Sequence, residues 1–226
     1  MATIAENLQA VRARIGRAAR AAGRDANTVT LLAVSKTHSV ARIDEARKAG
    51  QVAFGENYVQ EALEKMAALP ALEWHLIGPL QSNKTRLAAE HFQWVQTVER
   101  EKIARRLAEQ RPAELAPLNV LIQVNASGEA TKSGVAITEV APLAKAITAL
   151  PRLRLRGLMA IPEPGAPASR YREVRQAYES MRREFDVDTL SMGMSDDLEL
   201  AIAEGATLVR VGTAIFGARQ TGRHAA

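Results

Sequence analysis

A short apolar run followed by a helical pattern recurs eight times along the chain, and that recurrence leaves few folds open. The runs lie at residues 30–35, 51–55, 73–77, 93–98, 119–124, 153–159, 189–192 and 208–211. A short apolar and β-branched run closed by turn residues is the pattern of a strand buried on both faces, as in a parallel sheet. Helical periodicity fills the intervals, at 39–49, 57–67, 83–91, 99–110, 137–149, 169–185 and 196–204, and a further amphipathic pattern over 3–24 precedes the first run. Two architectures alternate strand and helix in this way, a closed (β/α)8 barrel and an open doubly wound sheet. The open sheet commonly carries a GxGxxG turn after its first strand, and here that turn carries Lys36 instead. The sequence therefore predicts an α/β fold, a single (β/α)8 barrel with an extra N-terminal helix, in one domain over residues 1–226. The dense Pro162-Glu-Pro-Gly-Ala-Pro167 stretch reads as a rim loop after the sixth strand rather than a domain boundary.

Composition removes several classes of chemistry. There is no cysteine, so disulfides, thiolate metal sites and cysteine nucleophiles are excluded. The four histidines, at 38, 75, 91 and 224, show no HxxxH or HExxH spacing, which argues against a dedicated metal site. The formal net charge of +5 suits an anionic small ligand and also admits a nucleic-acid reading. Much of the excess lies on the N-terminal helix, where Ile4, Leu8, Val11 and Ile15 share one face and Arg14, Arg17, Arg20 and Arg24 are expected on a solvated opposite face. Glu6 and Asp25 interrupt what would otherwise resemble an organelle presequence, and no stretch of about eighteen apolar residues appears. A cytoplasmic protein with no membrane partner is expected.

The chemistry-bearing residues sit at strand ends. Lys36 closes the first apolar run, at the C-terminal end where α/β sheets bind ligands. A lysine desolvated there becomes a nucleophilic amine able to form a Schiff base, whereas a lysine that snorkels from a strand tip does nothing of the kind. In a barrel, phosphate groups often sit on the loops after strands seven and eight. Those loops hold Gly193, Ser195, Gly212 and Thr213, whose backbone N–H groups and hydroxyls read as an anion cradle, although Ser195 before Asp196 and Asp197 also reads as an ordinary helix N-cap. If phosphate binds, both aspartates are expected to point away. Arg210, between Val209 and Val211, is sent by alternation to the face opposite those valines, into the lumen, where it needs a partner. An acidic residue or a cofactor ring nitrogen would serve. A reactive amine on strand one, an arginine on strand eight and a phosphate seat beside them are what pyridoxal 5′-phosphate requires.

The motifs Val34-Ser-Lys-Thr37, Phe54-Gly-Glu-Asn-Tyr-Val-Gln-Glu61, Trp74-His-Leu-Ile-Gly-Pro-Leu-Gln-Ser-Asn-Lys84, Gly157-Leu-Met-Ala-Ile-Pro162, Ser191-Met-Gly-Met-Ser-Asp-Asp197 and Arg210-Val-Gly-Thr-Ala-Ile-Phe-Gly217 closely resemble the pyridoxal phosphate homeostasis protein family, in order and over almost the whole chain. The resemblance implies a barrel similar to the N-terminal domain of alanine racemases, with pyridoxal 5′-phosphate held as a Schiff base on Lys36. It further implies phosphate contacts at Ser195, Gly212 and Thr213, a ring-nitrogen contact at Arg210 and a pocket wall at Asn57. His38 is a departure, because many relatives carry a second lysine there; if that lysine helps hand the cofactor on, His38 marks a different route. Glu56 and Asn57 read either as cofactor contacts or, for Asn57, as a helix cap. His75 reads as a satisfied core histidine, Trp74 and Trp94 as packing residues, and Lys132 as a solvated loop lysine.

Racemisation needs a second base on the opposite face of the substrate. In the similar racemases it is a tyrosine on an appended domain contributed across a dimer, and no such domain is expected here. Tyr58, Tyr171 and Tyr178 are all predicted on helices. An arginine at the ring nitrogen would also weaken the electron sink. The reading is a cofactor-binding monomer without efficient turnover that delivers cofactor by transient contact with apo-enzymes, and the resemblance implies a role in intracellular vitamin B6 homeostasis. The alternatives are a weak amino-acid racemase and a nucleic-acid binder using the arginine helix. Against the last stand the lack of a groove-reading motif and of aromatics interleaved with those arginines.

Overall fold

The computed structural model describes residues 2–127 and 133–217. Lys132 therefore lies outside the described residues. All eight apolar runs form strands: β1 (Thr30–Val34), β2 (Ala53–Glu56), β3 (Glu73–Leu76), β4 (Trp94–Val98), β5 (Leu118–Val124), β6 (Leu153–Ala160), β7 (Thr189–Ser191) and β8 (Leu208–Val211). Each pairs in parallel with the next, and β8 pairs with β1 in the register Leu32↔Arg210 and Ala33↔Val211, which closes the barrel. The open-sheet alternative is thereby excluded.

Both faces of the strands are packed, which is why the runs read as continuously apolar. Leu31 and Ala33 of β1 join the large cluster between sheet and helices. Leu32 turns inward and packs with Ala53, Ile77 and Leu208, while Trp94, Leu121 and Met159 fill another part of the lumen. β2 starts later than its apolar pattern because Gln51 donates its side-chain amide to the Leu31 and Ala53 carbonyls, at 2.9 and 2.8 Å, ahead of the strand.

The helices are α1 (Ile4–Ala21), α2 (Val40–Lys48), α3 (Val59–Ala68), α4 (Thr85–His91), α5 (Glu101–Gln110), α6 (Val140–Thr148), α7 (Ala168–Glu184), α8 (Leu198–Ala203) and α9 (Thr213–Phe216). α1 is started by a capping box, with Thr3 Oγ1 accepting the Glu6 N–H and Glu6 accepting the Thr3 N–H. Its stripe Ile4, Leu8, Val11 and Ile15 is buried, each side chain contributing about 1.5–3 kcal/mol. α9 is a single turn, and α1 lies against it, α8 and α2, occupying the part of the outer layer that a full eighth helix would fill.

That position corrects the expected solvated arginine face. Arg14 forms a two-pronged ion pair with Glu199 of α8, at 2.8 and 2.9 Å, and donates to the Ser195 carbonyl at 3.0 Å. Arg24 donates to the Ile202 carbonyl at 2.8 Å. Arg17 and Arg20 are exposed as expected. Packed on two sides as well as beneath, α1 uses flanking arginines as ties.

Candidate functional site at the C-terminal mouth of the barrel

Lys36 lies in the turn that leaves β1, half-buried, next in the alternating row after the inward Leu32 and Val34. Both neighbours are anchored. Ser35 donates its N–H to the Gly55 carbonyl at 3.0 Å and its hydroxyl to Glu56 Oε1 at 2.5 Å. Thr37 adopts a left-handed backbone, φ 66°, and donates its N–H to Glu61 Oε1 at 2.6 Å. His38 stacks on Phe216 of α9, with ring centroids 4.8 Å apart.

Arg210 sits in the lumen on the adjoining strand, as alternation predicts. Its Nη1 donates to Ser191 Oγ at 2.7 Å and its Nη2 to the Ala160 carbonyl at 2.8 Å. Both acceptors are neutral, and no ion pair to Arg210 forms among the described residues. Burial pushes the guanidinium down to about 10. The Ser191 hydroxyl, accepting from Arg210, donates to Gln96 Oε1 at 2.7 Å; the Gln96 amide nitrogen meets His75 Nδ1 at 2.8 Å, and His75 Nε2 meets Glu73 Oε1 at 2.8 Å. This direction of donors requires a neutral His75 with its proton on Nε2. Burial pushes His75 down, consistent with that form, and the hydrogen bond from His75 lowers Glu73. A hydrogen-bonded chain thus crosses the lumen from Arg210 near the mouth to Glu73 at the first position of β3. His75 is the satisfied core histidine expected. Trp94 stacks on it at 4.9 Å, with the Arg156 guanidinium 4.7 Å from the Trp94 ring, and Trp74 packs against Phe54 in the outer core.

The loops after β7 and β8 complete this side of the mouth. Ser195 does not cap α8: the cap position is Asp197, whose carboxylate accepts the Met194 N–H and the Tyr171 hydroxyl. Asp196 and Asp197 line a cleft of about 390 Å³ facing α7 with Pro162, Tyr171 and Met194. At Gly193, φ 96°, a Cβ would stand 2.5 Å from Ala201 Cβ, so packing by itself calls for glycine there. Gly212 lies against Val34 of β1 and accepts the Ile215 and Phe216 N–H groups at 2.9 Å, and Thr213 is the exposed first residue of α9. Lys36, Arg210, Ser195, Gly212 and Thr213 therefore lie on, or in the turns that leave, the neighbouring strands β7, β8 and β1. Asn57, after β2, lines a cavity of about 370 Å³ with Thr97, Gln123 and Glu163, whose lining includes none of those five residues.

Other expectations are corrected. Glu56 is fully buried and turned toward the helix layer, bonded to Ser35 and to Lys65 Nζ at 2.7 Å; burial raises its carboxyl, offset by Lys65. Asn57 does not cap α3, whose cap position is Tyr58. Tyr58 precedes the helix and is exposed, while Tyr171 and Tyr178 lie on α7. Lys65, Gln96 and Ser191 escaped the sequence reading. For Lys65 a signal existed, because it falls within the buried stripe Val59, Ala62 and Met66.

Residues 6–220 match the model of the alanine racemase N-terminal domain family. The pyridoxal phosphate homeostasis protein of Pseudomonas aeruginosa strain PAO1 is 61% identical over 230 residues, covering 98% of both chains. The chain belongs to the pyridoxal phosphate homeostasis protein family. Its Escherichia coli K12 relative of the same name is 55% identical over 97% of this chain and 98% of that one. The structure of PipY from Synechococcus elongatus PCC7942 with pyridoxal phosphate bound superposes with a TM-score of 0.83 at 37% identity, covering 95% of this chain and 100% of PipY. Membership accounts for the barrel and for the motif order. Among the described residues no helix is long and apolar enough to cross a membrane.

Proposed function

We propose that this family member binds pyridoxal 5′-phosphate at the mouth of the barrel and holds it as a Schiff base on Lys36. The observation that carries the reading is Arg210, a buried guanidinium whose hydrogen-bond partners among the described residues are neutral, on the strand paired with the one whose exit turn holds Lys36. The residues present fit the cofactor: Arg210 offers a donor to its ring nitrogen, Ser195, Gly212 and Thr213 receive its phosphate, and Asn57 forms a wall. Pyridoxal phosphate supplies an aldehyde that condenses with a primary amine with loss of water. Lys36 supplies the amine and its anchored neighbours hold it at the mouth. Arg210 keeps its own proton and so leaves the ring nitrogen without one. Tyr171 is tied to Asp197 and Tyr178 is buried on α7, so neither supports a second base in the lumen.

The function that follows is storage without efficient turnover: the protein limits free reactive aldehyde and passes the cofactor to apo-enzymes through transient contact. It works as a cytoplasmic monomer of one domain over residues 1–226, without nucleic-acid or membrane partners. The racemase alternative draws on one observation, the exposed Tyr58 beside Asn57 at the rim. Turnover of an amino acid that vanishes in both Lys36→Ala and Tyr58→Phe would favour it.

The test is an absorbance spectrum of protein incubated with pyridoxal phosphate and desalted, followed by borohydride reduction and peptide mapping. A Schiff-base band in wild type, absent in Lys36→Ala, with the reduced adduct on Lys36, supports the proposal. An adduct spread over surface lysines refutes it.

A further inference from the structure

We propose that Lys65 and Glu61 of α3, together with Glu56 at the end of β2, act as positioning residues that clamp the Lys36 turn from outside the barrel. The inference deepens the function proposed above and rests on it for its purpose. Lys65 Nζ is buried and its three donors are all engaged: Glu56 Oε1 at 2.7 Å, Glu61 Oε1 at 2.7 Å and the Ser35 carbonyl at 2.8 Å. Each acceptor leads back to the residues flanking Lys36. The Ser35 carbonyl is bound directly, Glu56 Oε1 also accepts the Ser35 hydroxyl, and Glu61 Oε1 also accepts the Thr37 N–H. Thr37 needs that support, because φ 66° is an unfavourable backbone for a β-branched residue. Burying an ammonium group is costly, and a well-packed apolar side chain at this place would commonly serve stability as well or better. What the ion cluster adds is directional bonding to the turn on both sides of Lys36.

Glu61 is the member to perturb, since its side chain is partly exposed and lies at the margin of the cluster. Glu61→Ala removes the acceptor for Thr37, whereas Glu61→Gln keeps an oxygen there and loses only the charge. Hydrogen exchange at the Thr37 amide, measured without cofactor, reads the clamp alone. It should quicken in Glu61→Ala and stay near wild type in Glu61→Gln. With pyridoxal phosphate loaded, release from Glu61→Ala should be about tenfold faster than from wild type, the effect of losing about one hydrogen bond that holds the loaded turn. The Schiff-base band should also titrate at a shifted pH, and Glu61→Gln should restore release toward the wild-type rate. Unchanged Thr37 exchange in Glu61→Ala overturns the clamp. Faster exchange with wild-type release and band titration overturns the positioning role and leaves a purely structural one. A wild type that forms no Schiff base at Lys36 overturns the cofactor reading instead, and the exchange arm still decides whether the turn is clamped.

Discussion

Replacing Arg210 by methionine should separate stability from cofactor binding. Burial lowers the guanidinium to about 10, and a lowering of that size corresponds to about 3 kcal/mol of preference against the cation. The hydrogen bonds to Ser191 Oγ and the Ala160 carbonyl act in the other direction, contributing about 1.5–3 kcal/mol each as bonds from a charged donor. The bonds therefore match the burial cost or exceed it by up to about 3 kcal/mol. Methionine fills much of the same volume, the Ser191 hydroxyl still donates to Gln96, and the Ala160 carbonyl loses one donor. Arg210→Met should therefore change the unfolding free energy by no more than about 3 kcal/mol, measured by urea denaturation with an unchanged slope. In the same protein the Kd for pyridoxal phosphate should rise at least about tenfold, the equivalent of one lost hydrogen bond at about 1.4 kcal/mol, with a shifted absorption maximum. A stability loss above about 5 kcal/mol would mark Arg210 as a keystone of the lumen. Wild-type affinity together with a wild-type spectrum would refute the ring-nitrogen assignment.

Gly78→Ala would place a Cβ 2.1 Å from the Asn57 carbonyl oxygen. It should cost about 1–3 kcal/mol through the forced backbone shift and weaken cofactor retention by moving Asn57; a wild-type urea midpoint would contradict this. Because burial pushes His75 down, the unfolded chain takes up this proton near pH 6.5 while the folded one resists, so stability is fully present above that pH and falls as pH drops below it. Unfolding free energies at pH 7.5 and 5.5 should fall more steeply in wild type than in His75→Gln, and parallel falls would remove His75 as the cause. Arg14→Ala breaks an ion pair that is partly exposed on both sides, so calorimetry should show a loss under about 1 kcal/mol that shrinks in high salt. A larger, salt-independent loss would shift the weight to its bond with the Ser195 carbonyl.

Much of the fold was legible because a barrel strand is apolar on both faces, so each run announces itself without alternation. Legibility ended where a side chain took over a backbone task. Gln51 shortens β2 by bonding the Leu31 and Ala53 carbonyls, and Asp197 delays α8 by turning back to Met194 and Tyr171. α9, with four residues, is too short to show any period. In the site, alternation placed Arg210 in the lumen, but its partners could not be read. Ser191 and Gln96 bond across 95 residues of sequence, and only barrel closure brings them together. The arginines of α1 misled for a related reason, since an apolar stripe defines the buried face but says nothing about helices packed on either flank.

Two polar systems reach β1 from opposite sides. Outside the barrel, the cluster of Lys65, Glu56 and Glu61 grips Ser35 and Thr37; inside, the chain from Glu73 through His75, Gln96 and Ser191 ends on Arg210, whose strand pairs with β1. The first needs only β1, β2 and α3, which are close in sequence, so it can form early. The second needs β8, the last strand, to return to the first, a contact of long sequence separation that is slow to form. Until β8 docks, β1 has an open edge and no arginine beside it. A chain ending before β8 should thus keep the Lys36 turn and its outer bonds while lacking the partner proposed for the ring nitrogen. On the proposed assignment, cofactor binding depends on closure of the barrel rather than on the lysine turn alone.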